Sequence, residues 1–349
     1  MGTVGIDDFL TRSRILPVVD VRSESEYQDG HVPGSENIPL LKDPERVLVG
    51  TDYKKKGKEE AIRTGFRLVG PRLEQLVDQV VTYAAGQELL VYCWRGGMRS
   101  KNFCDFVAMA GVATRRLEGG YKTYREKAFQ AFEQPLPLLV IGGKTGSGKS
   151  EILRALELQG EQVLDLEHMA NHKGSAFGGL LQQPQPTNEQ FINLLFEKLR
   201  SMDLNRPIWV EDESIAIGKI FLPKTFFEQK RKAPVVQIEV DKSIRVNRLV
   251  NEYGPANREE FLAAMERITK KLGGLNFNRA KDHLLQGDMH ATIDILLSYY
   301  DKAYSESLAK KSFSIQAICS WNGSDYQPLM NELKKIASDY ARFAQHSHE

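Results

Sequence analysis

The stretch GGKTGSGKS, residues 142 to 150, directly follows the apolar run LPLLVI and leads into helical apolar spacing from Lys149 to Leu158. It satisfies G-x-x-x-x-G-K-[ST] in the context that motif requires, a strand feeding a glycine-rich turn and then a helix. A turn of this kind commits the second half of the chain to a parallel sheet wrapped by helices. It also commits it to a ligand chemistry, because successive backbone N–H groups and a helix N-terminus point at one place. Gly143, Lys144, Thr145, Gly146, Ser147, Gly148, Lys149 and Ser150 form the expected diphosphate loop, with Lys149 offsetting the ligand's charge. A P-loop grips a diphosphate and not the group attached to it, so ATP does not follow from the motif.

Downstream, EQVLDLE, PIWVEDE and PVVQIEV read as further buried strands, with a helix from about Thr187 to Met202 between the first two. Residues 241–310 read as mostly helical, interrupted at Gly254, Pro255 and the Gly273–Gly274 pair. The run PIWVEDES ends in acids and supplies a Walker-B-like Asp212 beside Glu211 and Glu213; Ser150 and Asp212 are the candidate magnesium ligands. The loop DLEHMANHKGSAFGG (165 to 179) gathers Asp165, His172, Lys173 and Ser175 as candidate substrate contacts. Two histidines four apart without a second pair of ligands argue against zinc there.

The first half is also α/β. PVVDV (17 to 21) and LLVY (89 to 92) are apolar runs of the length of buried parallel strands, and PRLEQLVDQVVTYAAG (71 to 86) has helical spacing ending at Gly86. The charged, weakly periodic segment 42–65 reads as an excursion from that core. A chain of 349 residues exceeds the size at which one core usually keeps growing, and the prolines of QPLP (134 to 137) mark a break. The expected domains are therefore 1–133 and 136–349.

LLVY runs into CWRGGMRS, residues 93 to 100. A thiol at the end of a buried strand, just before a helix, sits where N–H groups and the helix dipole favour an anionic sulfur. Gly96 and Gly97 let the chain curl, and Arg99 can bring a guanidinium to the same concavity. Trp94, Arg95, Met98 and Ser100 complete the loop. By contrast, Cys104 lies on an apolar helical face and reads as core. Three cysteines in all suit neither a disulfide framework nor a metal knuckle, which points to free thiols in a reducing compartment.

DVRSESEYQDGHVPGSENIP (20 to 39) and LEGGYKTYR (117 to 125) resemble the opening and close of a rhodanese domain, together covering about residues 7 to 130. That resemblance implies a sulfur-carrier role for Cys93. The loop here has five residues between cysteine and arginine, one more than the usual sulfurtransferase loop, and matches the cysteine-phosphatase signature. A longer loop makes a wider cradle, suited to a tetrahedral phosphate-like group. Joined to GGKTGSGKS, DLEHMANHKGSAFG and VEDESIAIG, the rhodanese-like half closely resembles the tRNA 2-selenouridine synthase family over nearly the whole chain.

The resemblance implies a rhodanese-like N-terminal domain and a P-loop NTPase-like C-terminal domain with a helical extension. It further implies a tRNA selenotransferase and geranyltransferase. The P-loop would hold geranyl diphosphate while the sulfur of a wobble 2-thiouridine is alkylated, and Cys93 would take selenium from selenophosphate as a thiol-bound selenide. The substrates so implied are geranyl diphosphate and selenophosphate, with no tightly bound cofactor. The implied partners are the thiolated tRNA and a selenophosphate-producing enzyme.

A net charge of +1 excludes a globally basic nucleic-acid binder but leaves room for a basic face. Residues 215–290 carry 14 Lys and Arg against nine Asp and Glu, so Arg245 and Arg248 there, with Lys54, Lys55 and Lys56, are the candidate tRNA contacts. Phe191, Phe196, Phe221, Phe226 and Phe227 divide between core and a prenyl pocket. The acidic N-terminal segment does not read as a signal peptide and no apolar run reaches membrane-spanning length, so a cytoplasmic protein is expected. Two other readings fit the same loops: a cysteine phosphatase fused to a P-loop small-molecule kinase, and a non-catalytic RNA-binding module.

Overall fold

Five short strands, β1 (Gly2–Val4), β2 (Val18–Asp20), β3 (Glu36–Asn37), β4 (Leu89–Tyr92) and β5 (Thr114–Leu117), pair in the order β1-β5-β4-β2-β3, every pair parallel. β4 lies at the centre of the sheet and is buried along its whole length. Its unbroken apolar run is therefore the pattern of a strand covered on both faces rather than the alternation of a half-exposed one. The core around it includes Val19, Leu89, Val91, Phe103 and Val107.

The segment read as an excursion is a pair of helices, Asp43–Lys56 and Lys58–Val69, turning at Gly57, whose φ is +93°. The first buries no side chain, whereas the second buries Ala61, Thr64 and Val69. A helix without a buried face carries no periodic signal, which is why the stretch looked featureless as a whole.

A computed structural model supplies these coordinates and describes residues 2–310 and 315–346. Two compact units divide the chain, Met1–Ala131 with Ile192–Leu194, and Phe132–Phe191 with Leu195–Glu349.

In the second unit β6 (Leu138–Gly143), β7 (Gln162–Leu164) and β8 (Ile208–Glu211) precede a two-stranded antiparallel ribbon of β9 (Ala216–Ile217) and β10 (Ile220–Phe221). β11 (Val235–Glu239) and β12 (Ile315–Ser320) complete an all-parallel sheet of order β12-β11-β6-β8-β7. The chain leaves central β6 toward one edge and later fills the other, so the carboxyl end of β6 is the switch point where such sheets bind ligands. The helix Lys149–Leu158 starts there. β12 is an edge strand with only Cys319 buried, too weakly patterned to stand out in the sequence. Residues 242–310 form helices with their own core around Leu249, Phe261, Met265 and Leu297. Among the described residues no helix is long and apolar enough to cross a membrane.

Candidate active site

Cys93 leaves β4 buried, its Sγ 3.3 Å from the hydroxyl of Ser100, which in turn donates to the Gly97 carbonyl at 3.2 Å. Gly96 takes φ +63° and Gly97 opens the helix Met98–Met109. The loop is braced from behind: Tyr121 N–H donates to Cys93 O at 2.9 Å and Lys122 N–H to Trp94 O at 3.0 Å. Gly120, at φ +65°, lies so close to Cys93 O and Gly96 N that no Cβ fits. Among the described residues, no backbone N–H from Gly96 to Ser100 meets a carbonyl, the first that does being Lys101 on Gly97 at 3.1 Å. These N–H groups are the makings of an anion nest.

Trp94, Arg95 and Met98 are exposed on the rim. Arg99 donates through both terminal nitrogens to Glu26, at 2.6 and 3.2 Å, and Glu26 also receives Arg46 at 2.9 Å. Burial works against the Glu26 carboxylate, yet hydrogen bonding and charge from Arg99 outweigh it and hold the carboxyl below its ordinary range. Glu26 is thus the anchor of the loop's arginine. In the sequence it is one residue of the rhodanese-like stretch 20 to 39, with nothing to single it out. The other family residues are structural: Asp20 pairs with Arg22 at 2.7 Å, and Arg22 lies 3.9 Å over the Tyr121 ring. Cys104 is core, its thiol pushed up to about 11 by burial.

In the P-loop, Gly146 and Gly148 take φ +81° and +80°. Gly143, Thr145, Gly146, Gly148, Lys149 and Ser150 line a cavity of about 290 Å³, whereas Lys144 and Ser147 face a separate one of about 630 Å³. Lys149 Nζ rests on Gly143 O at 3.2 Å, and the Gly143 N–H donates to the Tyr304 hydroxyl at 2.8 Å. Asp165, Lys173 and Ser175 line the smaller cavity, with Lys173 bonded to Glu252 at 2.8 Å. Glu211 is fully buried and accepts the Leu166 N–H at 2.9 Å; burial and its carboxylate neighbours Asp165 and Glu167 push its carboxyl well up. Burial, then Glu167, pushes Glu213 up to about 8.

Ser150 and Asp212, the candidate magnesium ligands, both line the smaller cavity; Ser150 Oγ donates to Glu167 at 2.7 Å, and the Asp212 carboxylate lies 4.0 Å from the buried Lys230. Glu167 belongs to the polar stretch 165–179, but its pairing with Ser150, 17 residues before it, has no local signal. Two expectations change. His172 does not line the cavity; its ring packs against Gly178 and Gly218, where any Cβ would meet it. Arg245 is no surface cation, being 3% exposed, bonded to Asp301 at 2.8 and 2.7 Å and to Thr145 O at 3.1 Å.

Arg248 is mostly covered, bonded to Glu151 and lying 4.8 Å over the Trp321 ring, though it reaches the cavity wall. Lys54, Lys55 and Lys56 close an exposed helix end, with Lys56 paired to Asp52 at 2.8 Å. Phe191, Phe196 and Phe226 are core and Phe221 is exposed. A different set, Phe177, Phe261, Ile293, Leu296 and Leu297, lines a narrow apolar slot of about 20 Å³ that shares Thr145, Ser175, Leu249, Tyr253 and Tyr300 with the P-loop cavity. Among the described residues no three His, Cys, Asp or Glu converge as a metal site.

Residues 6–127 match the rhodanese-like domain family, and residues 136–327 match the family described as the tRNA 2-selenouridine synthase AAA domain. The tRNA 2-selenouridine synthase of Nitrosomonas europaea is 32% identical, the match covering 88% of this chain and 93% of that one. Those of Shewanella oneidensis and Shewanella sp. strain ANA-3 are 34% and 35% identical, covering 87% of this chain and 91% and 94% of theirs.

Proposed function

The chain belongs to the tRNA 2-selenouridine synthase family, and from that premise we propose how its two loops divide the reaction. The P-loop unit alkylates the 2-thio group of a wobble 5-substituted 2-thiouridine in tRNA with geranyl diphosphate. The Cys93 unit then exchanges the alkylated sulfur for selenium from selenophosphate.

The observation that supports the first step is the P-loop cavity of about 290 Å³, one wall of which, at Leu249, Tyr253 and Tyr300, continues into an apolar cluster with Phe177 and Phe261. A diphosphate on the loop would turn its hydrocarbon tail toward that wall, and the slot there, about 20 Å³, would have to widen to take it. The thiocarbonyl sulfur attacks the allylic carbon, the C–S bond forms, the C–O bond breaks, and the base loses its N3 proton. Pyrophosphate departs onto the loop's N–H groups and Lys149. Ser150 and Glu167 supply oxygens that would hold a magnesium ion, whose part would be to neutralise the departing diphosphate.

In the second step selenide adds at C2 and geranylthiol leaves. Selenophosphate and water yield that selenide and phosphate, so selenium keeps one oxidation state from donor to product. Among the five candidate cations, the exposed Lys54 and Lys55 would meet tRNA phosphates. The reaction belongs in the cytoplasm, beside an enzyme that makes selenophosphate. The test is nucleoside mass spectrometry of thiolated tRNA treated with geranyl diphosphate and then selenophosphate. S-geranyl-2-thiouridine should appear first and 2-selenouridine second; selenium entering without the alkylated nucleoside refutes the division of labour.

A further inference from the structure

We propose that Cys93 attacks the phosphorus of selenophosphate, forming a cysteinyl-phosphate and releasing hydroselenide beside the loop. The inference rests on selenophosphate being the donor and specifies what that donor does at the site.

The geometry is that of a phosphoryl-transfer cradle. Five residues separate Cys93 from Arg99, among the described residues the backbone N–H groups of Gly96 to Ser100 are not taken by carbonyls, and Glu26 fixes both terminal nitrogens of Arg99. Three equatorial oxygens of a tetrahedral group need such a ring of donors, whereas a lone selenium atom does not. Ser100 lies 3.3 Å from Cys93 Sγ and is fully buried. Its one hydrogen now goes to the Gly97 carbonyl; turned to Cys93 Sγ it would stabilise the thiolate twice, as nucleophile and as leaving group.

The electron count points the same way. Passing selenium to sulfur as a Cys–S–Se⁻ group would leave the P–Se bonding pair on phosphorus, giving phosphite. Freeing selenide from that S–Se bond would then need a two-electron reductant. Attack at phosphorus needs neither. The S–P bond forms, the P–Se bond breaks, and selenium leaves with the pair and the Cys93 thiol proton as hydroselenide, HSe⁻. Water then attacks phosphorus, the P–O bond forms, the pair of the broken S–P bond returns to Cys93, and the water's proton leaves with phosphate. Hydroselenide is the conjugate base of a stronger acid than a phenol; its one proton comes from the Cys93 thiol, and it needs no second to depart. This fits a loop whose residues 93 to 100 contain no carboxylic acid to serve as proton donor. An oxygen leaving group lacks that advantage, so aryl phosphates should be poor substrates.

Full-length protein is mixed with ³²P-labelled selenophosphate, quenched under denaturing conditions at successive times, and its peptides are analysed for phosphorus and selenium. A phosphoryl group is expected on Cys93, transient in the native enzyme and approaching one per chain in Ser100→Ala, where the departing thiolate has lost its donor. Phosphate is the expected phosphorus product, and Cys93→Ala should carry no label. Inorganic thiophosphate should release sulfide in a Cys93-dependent way. Phosphite among the products, or selenium instead of phosphorus on Cys93, overturns the proposal. So does selenium entering pre-geranylated tRNA with no phosphoryl group trapped in either protein. A phosphorylated Cys93 with no selenium in the RNA leaves this step standing and overturns the selenotransferase reading instead.

Discussion

Arg245 separates two accounts of the basic helical region, because its charge suggests RNA while its burial suggests architecture. The guanidinium is 3% exposed, makes a two-pronged pair with Asp301 and donates to the carbonyl of Thr145 inside the P-loop. Arg245→Ala leaves the Asp301 carboxylate without its cation. For a fully buried pair that costs about 3–5 kcal/mol. Asp301 keeps 22% of its side-chain exposure, so water recovers part of the loss and the low end applies. The freed Thr145 carbonyl adds about 1 kcal/mol, for a total of roughly 3–4 kcal/mol. Asp301→Asn should lose a similar amount, and the double variant should lose less than the sum, with a coupling of about 1–2 kcal/mol.

Urea unfolding of the four proteins measures this cycle. A salt titration of tRNA binding alongside it should show an unchanged slope in Arg245→Ala. A stability loss under about 0.5 kcal/mol would refute the architectural reading, particularly if the log–log salt slope fell by about one phosphate contact.

Cys93→Ala should accumulate S-geranylated tRNA and fail to introduce selenium, whereas Lys149→Ala should lose geranylation by about 3 kcal/mol or more in barrier yet still accept pre-geranylated tRNA, both read by nucleoside mass spectrometry. Gly120→Ala forces a side chain at φ +65° against Cys93 O and Gly96 N. It should cost roughly 2 kcal/mol or more in urea unfolding and depress selenium transfer while sparing geranylation. Glu26 has a folded-state carboxyl below its ordinary value of 4.5, so the stability it brings is full above that pH and lost as pH falls through the folded value. The stability gap between the native protein and Glu26→Gln should therefore shrink on acidification from neutrality, and a gap that widens would contradict the Arg99 pairing.

Both anion loops were legible in the sequence because each is a local object: strand, glycines and helix start follow one another, and backbone geometry needs nothing from afar. What escaped was set by distance along the chain. Glu26 meets Arg99 across 73 residues and Arg245 meets Asp301 across 56, and no local pattern encodes either. Composition counted Arg245 as surface charge because a charged residue is seldom buried unless paired, and its partner lies in another helix. His172 is set by packing instead, its ring filling the space a side chain at Gly178 or Gly218 would need. The apolar slot beside the P-loop draws on Phe177 as well as the helices after residue 241, so a search for aromatics near the strands pointed to core residues instead.

The two loops differ in how their cation is held, and the difference suits the anion each handles. Lys149 rests on Gly143 O, with the buried Glu213 carboxyl, pushed up to about 8, as its acidic neighbour; on the proposed reaction its charge would meet a diphosphate that gains charge as the C–O bond breaks. A full ammonium charge stabilises that departure more than it stabilises the bound reactant, which lowers the barrier. Arg99 is already shared with Glu26, so its net attraction for an anion is smaller and its planar fork is fixed before the ligand arrives. On the proposed reaction one tetrahedral group enters that loop and another must leave in each turnover, and an undiluted arginine would retain the product. Removing Glu26 should then do more than loosen Arg99: phosphate should become a tighter inhibitor of selenium transfer even as the loop loses order. Weaker phosphate inhibition in Glu26→Gln would show that the carboxylate positions the arginine without tempering its charge.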